Sequence, residues 1–192
     1  IRTSSLGFLL WNNTSTEYRN VWVGSSLQTL LNSGAYYNRT TGEYYDSSTG
    51  TTTTVTLDFS SNGLTSEAKS LIDTVTWNLG APSRYDTTEN GLISHWYAYE
   101  RGTNVYESNP TTWQGKVGLI YPSDYGYAIS DNSTTTRSSC LQSVFGRWDW
   151  GSNCAENNWL KNSNSVQWTL TTNSSSDLDN ITIIASNGSL RN

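Results

Sequence analysis

Hydrophobic positions follow two rhythms along this chain, one helical and one strand-like. A three-to-four spacing at Leu27, Leu30 and Leu31, capped by Ser25 or Ser26 and stopped by Gly34, predicts a short helix over Ser26–Asn32. The same spacing at Ala68, Leu71, Ile72 and Val75, with a Thr65 cap and Glu67 in the first turn, predicts a longer helix over Thr65–Thr76. Trp77 and Leu79 extend it until Gly80-Ala81-Pro82 breaks it.

Alternation marks the strands. Val55, Leu57 and Phe59 predict one, which the Thr51–Thr54 run lengthens after a surface excursion from Tyr36. Leu92–Glu100 reads as an aromatic strand with Trp96 on one face and Tyr97 and Tyr99 on the other. Lys116–Tyr121 reads as a buried strand, and Pro122-Ser123 opens a turn or short helix. Gln167–Thr171 and Ile181–Ala185 are further strands, and Asn187-Gly188 signals a hairpin into a last strand at Ser189-Leu190. Helices early and strands late predict an α+β class with short helices, long loops and a small antiparallel sheet. No repeat or linker divides the chain, so one domain over residues 1–192 is expected.

Composition adds a compartment. The chain holds 9 Trp and 12 Tyr against only 11 Lys plus Arg, and much of the rest is Ser, Thr, Asn and Gly. Such a surface of hydroxyls, amides and rings is usual on proteins that meet glycans or other proteins outside cells. With a net charge of −5 and only scattered basic residues such as Arg84, Arg101 and Arg137, nucleic-acid binding is excluded. The longest apolar run, Gly7 to Trp11, is too short to cross a bilayer, so any membrane link lies in a tether outside this chain. The lack of Met, even at position 1, fits a processed product or an excised segment.

Cys140 and Cys154 are the only cysteines, and the segment between them contains no His. Metal ligation needs further soft ligands that are absent, which leaves a structural disulfide or two separate thiols. A disulfide is the expectation, and it implies an oxidising compartment. Seven Asn-x-Ser/Thr sequons, at Asn12, Asn13, Asn38, Asn132, Asn173, Asn180 and Asn187, are about as many as so Asn- and Ser/Thr-rich a chain carries by chance.

One stretch is specific at its length: Trp113-Gln114-Gly115-Lys116-Val117-Gly118-Leu119-Ile120-Tyr121-Pro122-Ser123-Asp124-Tyr125-Gly126-Tyr127-Ala128. Trp96 to Thr103 precedes it; Cys140-Leu141, Cys154 to Leu160 and Trp168-Thr169-Leu170-Thr171 follow. This order, together with Arg2–Trp11, Ser26–Tyr37 and Gly63–Gly80, resembles a family of largely uncharacterised bacterial surface domains. Those domains occur in secreted or membrane-tethered proteins of gut bacteria, sometimes behind a prepilin-like or single-span N-terminus. Their closing strands resemble the C-type lectin and formylglycine-generating-enzyme superfamily, so the resemblance implies a C-type-lectin-like fold. Gln167 to Leu190 match the Trp-Thr-Leu strand and hairpin of that closure. The chain departs by stopping at Asn192, where the relatives continue into an apolar strand containing Arg-Pro, and by lacking the strands that usually precede Ile1. That departure suggests sheet edges filled by a neighbouring subunit, or a fragment.

Catalytic patterns are sparse. His95 is the only histidine and no nucleophile elbow accompanies it. Glu100, Asp124 and Asp149 are candidate carboxylates for glycoside chemistry, but nothing in their spacing pairs them. Asp124 is expected to accept backbone N–H groups in the turn after Ser123, and Glu100 to pair with Arg101. The reactive cysteine pair of formylglycine-generating enzymes and the Glu-Pro-Asn or Gln-Pro-Asp calcium loop of sugar-binding C-type lectins are both missing. Glu156-Asn157-Asn158 and Trp148-Asp149-Trp150 are a weak signal for Ca²⁺, and no other cofactor is implied.

Trp77, Trp96, Trp113, Trp159 and Trp168 are expected in the core. Trp148 and Trp150, set among Gly, Arg and Asp, are expected at the surface. The sequence therefore points to a non-catalytic extracellular or cell-surface domain. It would bind a glycan or protein, or mediate adhesion, through Trp148, Trp150, Asn153, Glu156, Asn157, Tyr125 and Tyr127. A subunit of a pilus or other filament, joined to identical copies, is the alternative, and a carbohydrate-active hydrolase the second.

Overall fold

The computed structural model describes residues 11, 21–32, 39–46, 49–58, 65–82, 91–105, 109–131, 135–145, 154–172 and 181–191. It has the α+β composition expected, with short helices and small antiparallel sheets. Two compact units are distinguished, residues 1–77 with 113–118 and residues 78–112 with 119–192. No helix among the described residues is long and apolar enough to cross a membrane.

In the first unit, α1 spans Ser26–Asn32, as its leucine spacing predicts. Buried Ser25 caps it, its hydroxyl accepting the Gln28 N–H at 3.1 Å. Asn32, the last helical residue, accepts the Lys116 and Val117 N–H groups at 3.1 and 3.0 Å and donates to the Val117 carbonyl at 2.9 Å. Trp22 is 2% exposed, with Trp11 and Trp113 edge-on to it at 5.5 and 5.7 Å. Strands β1 (Arg39–Asp46) and β2 (Thr51–Asp58) form an antiparallel hairpin from Arg39↔Asp58 to Asp46↔Thr51. Gly50, at φ +67°, turns it. Within the excursion expected from Tyr36 to Thr54, residues 39–46 thus form a regular strand.

The predicted helix over Thr65–Thr76 is shorter. Helix α2 covers Ser66–Leu71 only, capped by Thr65, and Val75–Asn78 is strand β3, paired with β4 (Thr112–Gly115). Leu71 is 84% exposed and Val75 48%, while Ala68 and Ile72 are half-buried, so the apolar stripe that predicts a longer helix is not buried as one face.

In the second unit a core gathers Ile93, Trp96, Tyr125, Ile129, Phe145, Ala155, Ile184 and Leu190, with Cys140 and Cys154. Each aliphatic side chain fully removed from water contributes roughly 1.5–3 kcal/mol. Helix α3 (Ile93–Glu100) replaces the strand expected over Leu92–Glu100, burying Ile93, Trp96 and Glu100 on one face. That face follows the helical period, and it outweighed the aromatic alternation. Helix α4 (Pro122–Tyr127) begins with Pro at its first position and packs on α3. The segment before it, expected as a buried strand over Lys116–Tyr121, is irregular and mostly half-buried; the strand lies just upstream at β4.

Helix α5 (Arg137–Leu141), capped by the Thr136 hydroxyl, places Cys140 opposite Cys154, which precedes a 3-10 turn over Ala155–Asn157. The two cysteines are disulfide-bonded, with Cα atoms 5.8 Å apart. Strands β5 (Gln167–Thr172), β6 (Ile181–Ile184) and β7 (Leu190–Arg191) form an antiparallel sheet in that order. The Asn187-Gly188 turn joins β6 to β7, with Gly188 at φ +87°.

Candidate functional site

Two carboxylates flagged in the sequence lie at the start of α4, in different roles. Glu100 is sealed from solvent. One of its oxygens accepts the Ser123 N–H at 2.9 Å; the other accepts the Ser123 hydroxyl and the Arg101 guanidinium, the latter at 3.1 Å. Burial pushes its carboxyl up to about 7, against the pull of the Ser123 bonds and of Arg101. Asp124 is exposed, and it accepts the Tyr121 N–H at 3.3 Å, as expected of a residue in this turn. Tyr121 fastens the same corner. Its hydroxyl accepts the Asn78 N–H at 2.8 Å and donates to the Asn78 carbonyl at 2.9 Å. Burial raises that phenol to about 12, so it stays protonated at neutral pH. The Glu100–Ser123–Arg101 cluster thus orders the α3–α4 junction, with every Glu100 oxygen occupied from within.

From this corner an aromatic rim runs along the surface. The Arg101 guanidinium lies 3.6 Å from the centre of the half-exposed Tyr97 ring. Tyr97 meets Tyr127 edge-on at 6.3 Å, and Arg137 stands 5.9 Å from the Tyr127 ring. Tyr127 is partly exposed, but Tyr125 is not available to a ligand. Tyr125 is fully buried, stacked on Phe145 at 6.4 Å. Residues two apart on a helix point to nearly opposite sides, so only one of these tyrosines can face out.

Beyond Tyr127 the chain pairs with the segment that follows the disulfide. Ile129 bridges Asn158, the Ser130 N–H bonds the Asn157 carbonyl at 3.0 Å, and the Trp159 N–H bonds the Ala128 carbonyl at 3.2 Å. The buried Asn158 side chain fixes the turn, donating to the Tyr125 carbonyl at 2.6 Å and accepting the Leu160 N–H at 2.9 Å. Gln167 braces the far side, donating to the Leu160 carbonyl at 3.2 Å and accepting the Asn162 N–H at 3.1 Å. From this braced turn Trp159 projects with 67% of its surface exposed.

Trp159 corrects the expectation that placed it in the core. Its neighbour Asn158 takes the inward position, and alternation along the bridged segment turns the indole outward. Glu156 and Lys161 bracket the turn with an ion pair of 2.7 Å, their side chains 68% and 13% exposed. The Lys161 ammonium beside Glu156 holds its carboxyl below the usual carboxylate range. Asn157 is half-buried between them in sequence, and its Nδ2 is buried without a hydrogen-bond partner among the described residues.

The structure therefore brings Glu156 and Asn157 onto the turn that displays Trp159, and it joins that turn through Ala128 to Tyr127. Trp148, Trp150 and Asn153 lie outside the described residues. Tyr97, Arg101 and Arg137 line the rim with Tyr127, and Trp159 and Lys161 lie on the adjoining turn; none of the five is among the residues that the sequence points to as ligand-binding. The four-residue spacing of Tyr97 and Arg101 was the available signal, hidden once the segment was read as a strand. Among the described residues no group of three or more His, Cys, Asp or Glu side chains gathers to hold a metal. No family model, curated protein or solved structure matches the chain.

Proposed function

We propose that this chain is a non-catalytic extracellular domain of C-type-lectin-like architecture that mediates adhesion or ligand binding through the rim around Trp159. The observation that carries the reading is an indole 67% exposed on a turn whose backbone is held by Asn158 and Gln167. An exposed ring on a mobile tail is unremarkable; one on a braced turn is pre-organised, and a ligand that covers it loses little conformational entropy. Aromatic rings held in this way anchor both saccharide and protein contacts. The Cys140–Cys154 bond supports an oxidising, extracellular setting. The short helices and the Trp168-Thr169-Leu170 strand with its hairpin are in keeping with a lectin-like closure.

Immobilised glycans and host-surface proteins, probed with the wild type and with Trp159→Ala, test the reading. Binding to at least one ligand, weakened in the variant at unchanged melting temperature, supports it. Equal binding by both proteins refutes this site.

A further inference from the structure

The surroundings of Trp159 narrow the chemistry of its ligand, on the premise that the binding reading above holds. We infer that Trp159 is a stacking platform for a neutral hexopyranose, with the Glu156 carboxylate and the Lys161 ammonium meeting its hydroxyl groups.

Three observations carry this. First, the exposed apolar surface among the described residues of this segment is small: Trp159 rises from a stretch where Glu156, Ser163 and Asn164 are exposed, with Val166 the other exposed large apolar residue. A protein partner ordinarily needs a contiguous apolar centre within roughly 800 Å² of surface on each side. A pyranose needs one ring face for its C–H groups and polar groups around it for its hydroxyls. Second, Glu156 and Lys161 supply an acceptor and a donor on one turn, 2.7 Å apart, with the carboxylate the more exposed of the two at 68% against 13%. Third, their charges cancel. Within residues 154–162 this pair holds all the charged side chains, so the turn itself adds no net charge to select a uronate, a sialate or an acidic peptide.

Protein carrying ¹⁵N-labelled indoles is titrated with short neutral oligosaccharides of glucose, galactose, mannose and N-acetylglucosamine, and with polygalacturonate fragments and sialyllactose in parallel. The expected result is a saturable shift of the Trp159 indole signal with a neutral sugar. Calorimetry should then show about tenfold or greater loss of affinity in Trp159→Ala, partial retention in Trp159→Phe and a smaller loss in Lys161→Met. Thermal melts establish that the variants are folded, as the removed ring lies outside the core. If neutral sugars leave the indole unmoved while an acidic sugar or a protein ligand requires it, the neutral-hexopyranose inference falls and the binding reading stands. If a sugar binds Trp159→Ala as tightly as the wild type, both fall.

Discussion

Glu100, the last residue of α3, accepts both the backbone N–H and the hydroxyl of Ser123, the second residue of α4. A carboxylate from one helix thereby satisfies a donor at the start of the next, which that helix cannot satisfy itself. The Arg101 guanidinium closes the cluster, and its stacking on Tyr97 links the buried corner to the exposed rim. Glu100→Ala leaves the buried Ser123 N–H and hydroxyl without their acceptor. It should cost roughly 1–3 kcal/mol, the penalty for buried donors left unsatisfied, read by urea unfolding at pH 5.

The same residue sets a pH dependence. Its carboxyl titrates near 7 in the folded chain against 4.5 in the unfolded one, so the folded state holds the proton more tightly between those values. Stability is therefore greatest below about pH 4.5 for this group and falls as pH rises to about 7, by up to about 3 kcal/mol. Glu67 and Glu156, both lowered, act in the opposite sense and only within the carboxylate range. Unfolding midpoints at pH 5 and pH 8 should differ in the wild type. The difference should shrink in Glu100→Gln.

The Cys140–Cys154 bond ties α5 to the turn that carries Glu156. Replacing both cysteines by Ser should lower stability by about 3 kcal/mol, on the loop-entropy account of cross-linking. Reduction of the wild type with dithiothreitol should lower its urea midpoint to match.

Two glycines with positive φ should respond differently to alanine. At Gly188 a Cβ would run into the Ala155 side chain, whereas at Gly50 it meets nothing within 4 Å among the described residues. Gly188→Ala should cost roughly 2–4 kcal/mol, backbone strain plus overpacking, and Gly50→Ala about 1 kcal/mol from strain alone. Paired unfolding curves separate the two.

These contrasts also mark what the sequence could say. Helix α1 was legible because the Ser25 cap, the leucine spacing and Gly34 agree; the β6–β7 hairpin was legible because Asn187-Gly188 admits few turns. The Cys140–Cys154 pairing and the Glu100–Arg101 contact were also as expected. Helix α3 was misread since Trp96, Tyr97 and Tyr99 favour strands locally, while the tertiary burial of Ile93, Trp96 and Glu100 decides for a helix. Trp159 was misplaced for a related reason. Residue type argues that a tryptophan is buried, but here Asn158 holds the inward position through bonds to residues distant in sequence. Neither tertiary fact is written in a local pattern.

Trp159 decides the account. Equilibrium binding of any ligand captured by the wild type should be compared between Trp159→Ala and Glu100→Gln, a rim variant and a buried-corner variant, at matched folded fractions. The account predicts about tenfold or greater loss for Trp159→Ala and near wild-type affinity for Glu100→Gln. Undiminished affinity in Trp159→Ala would contradict it.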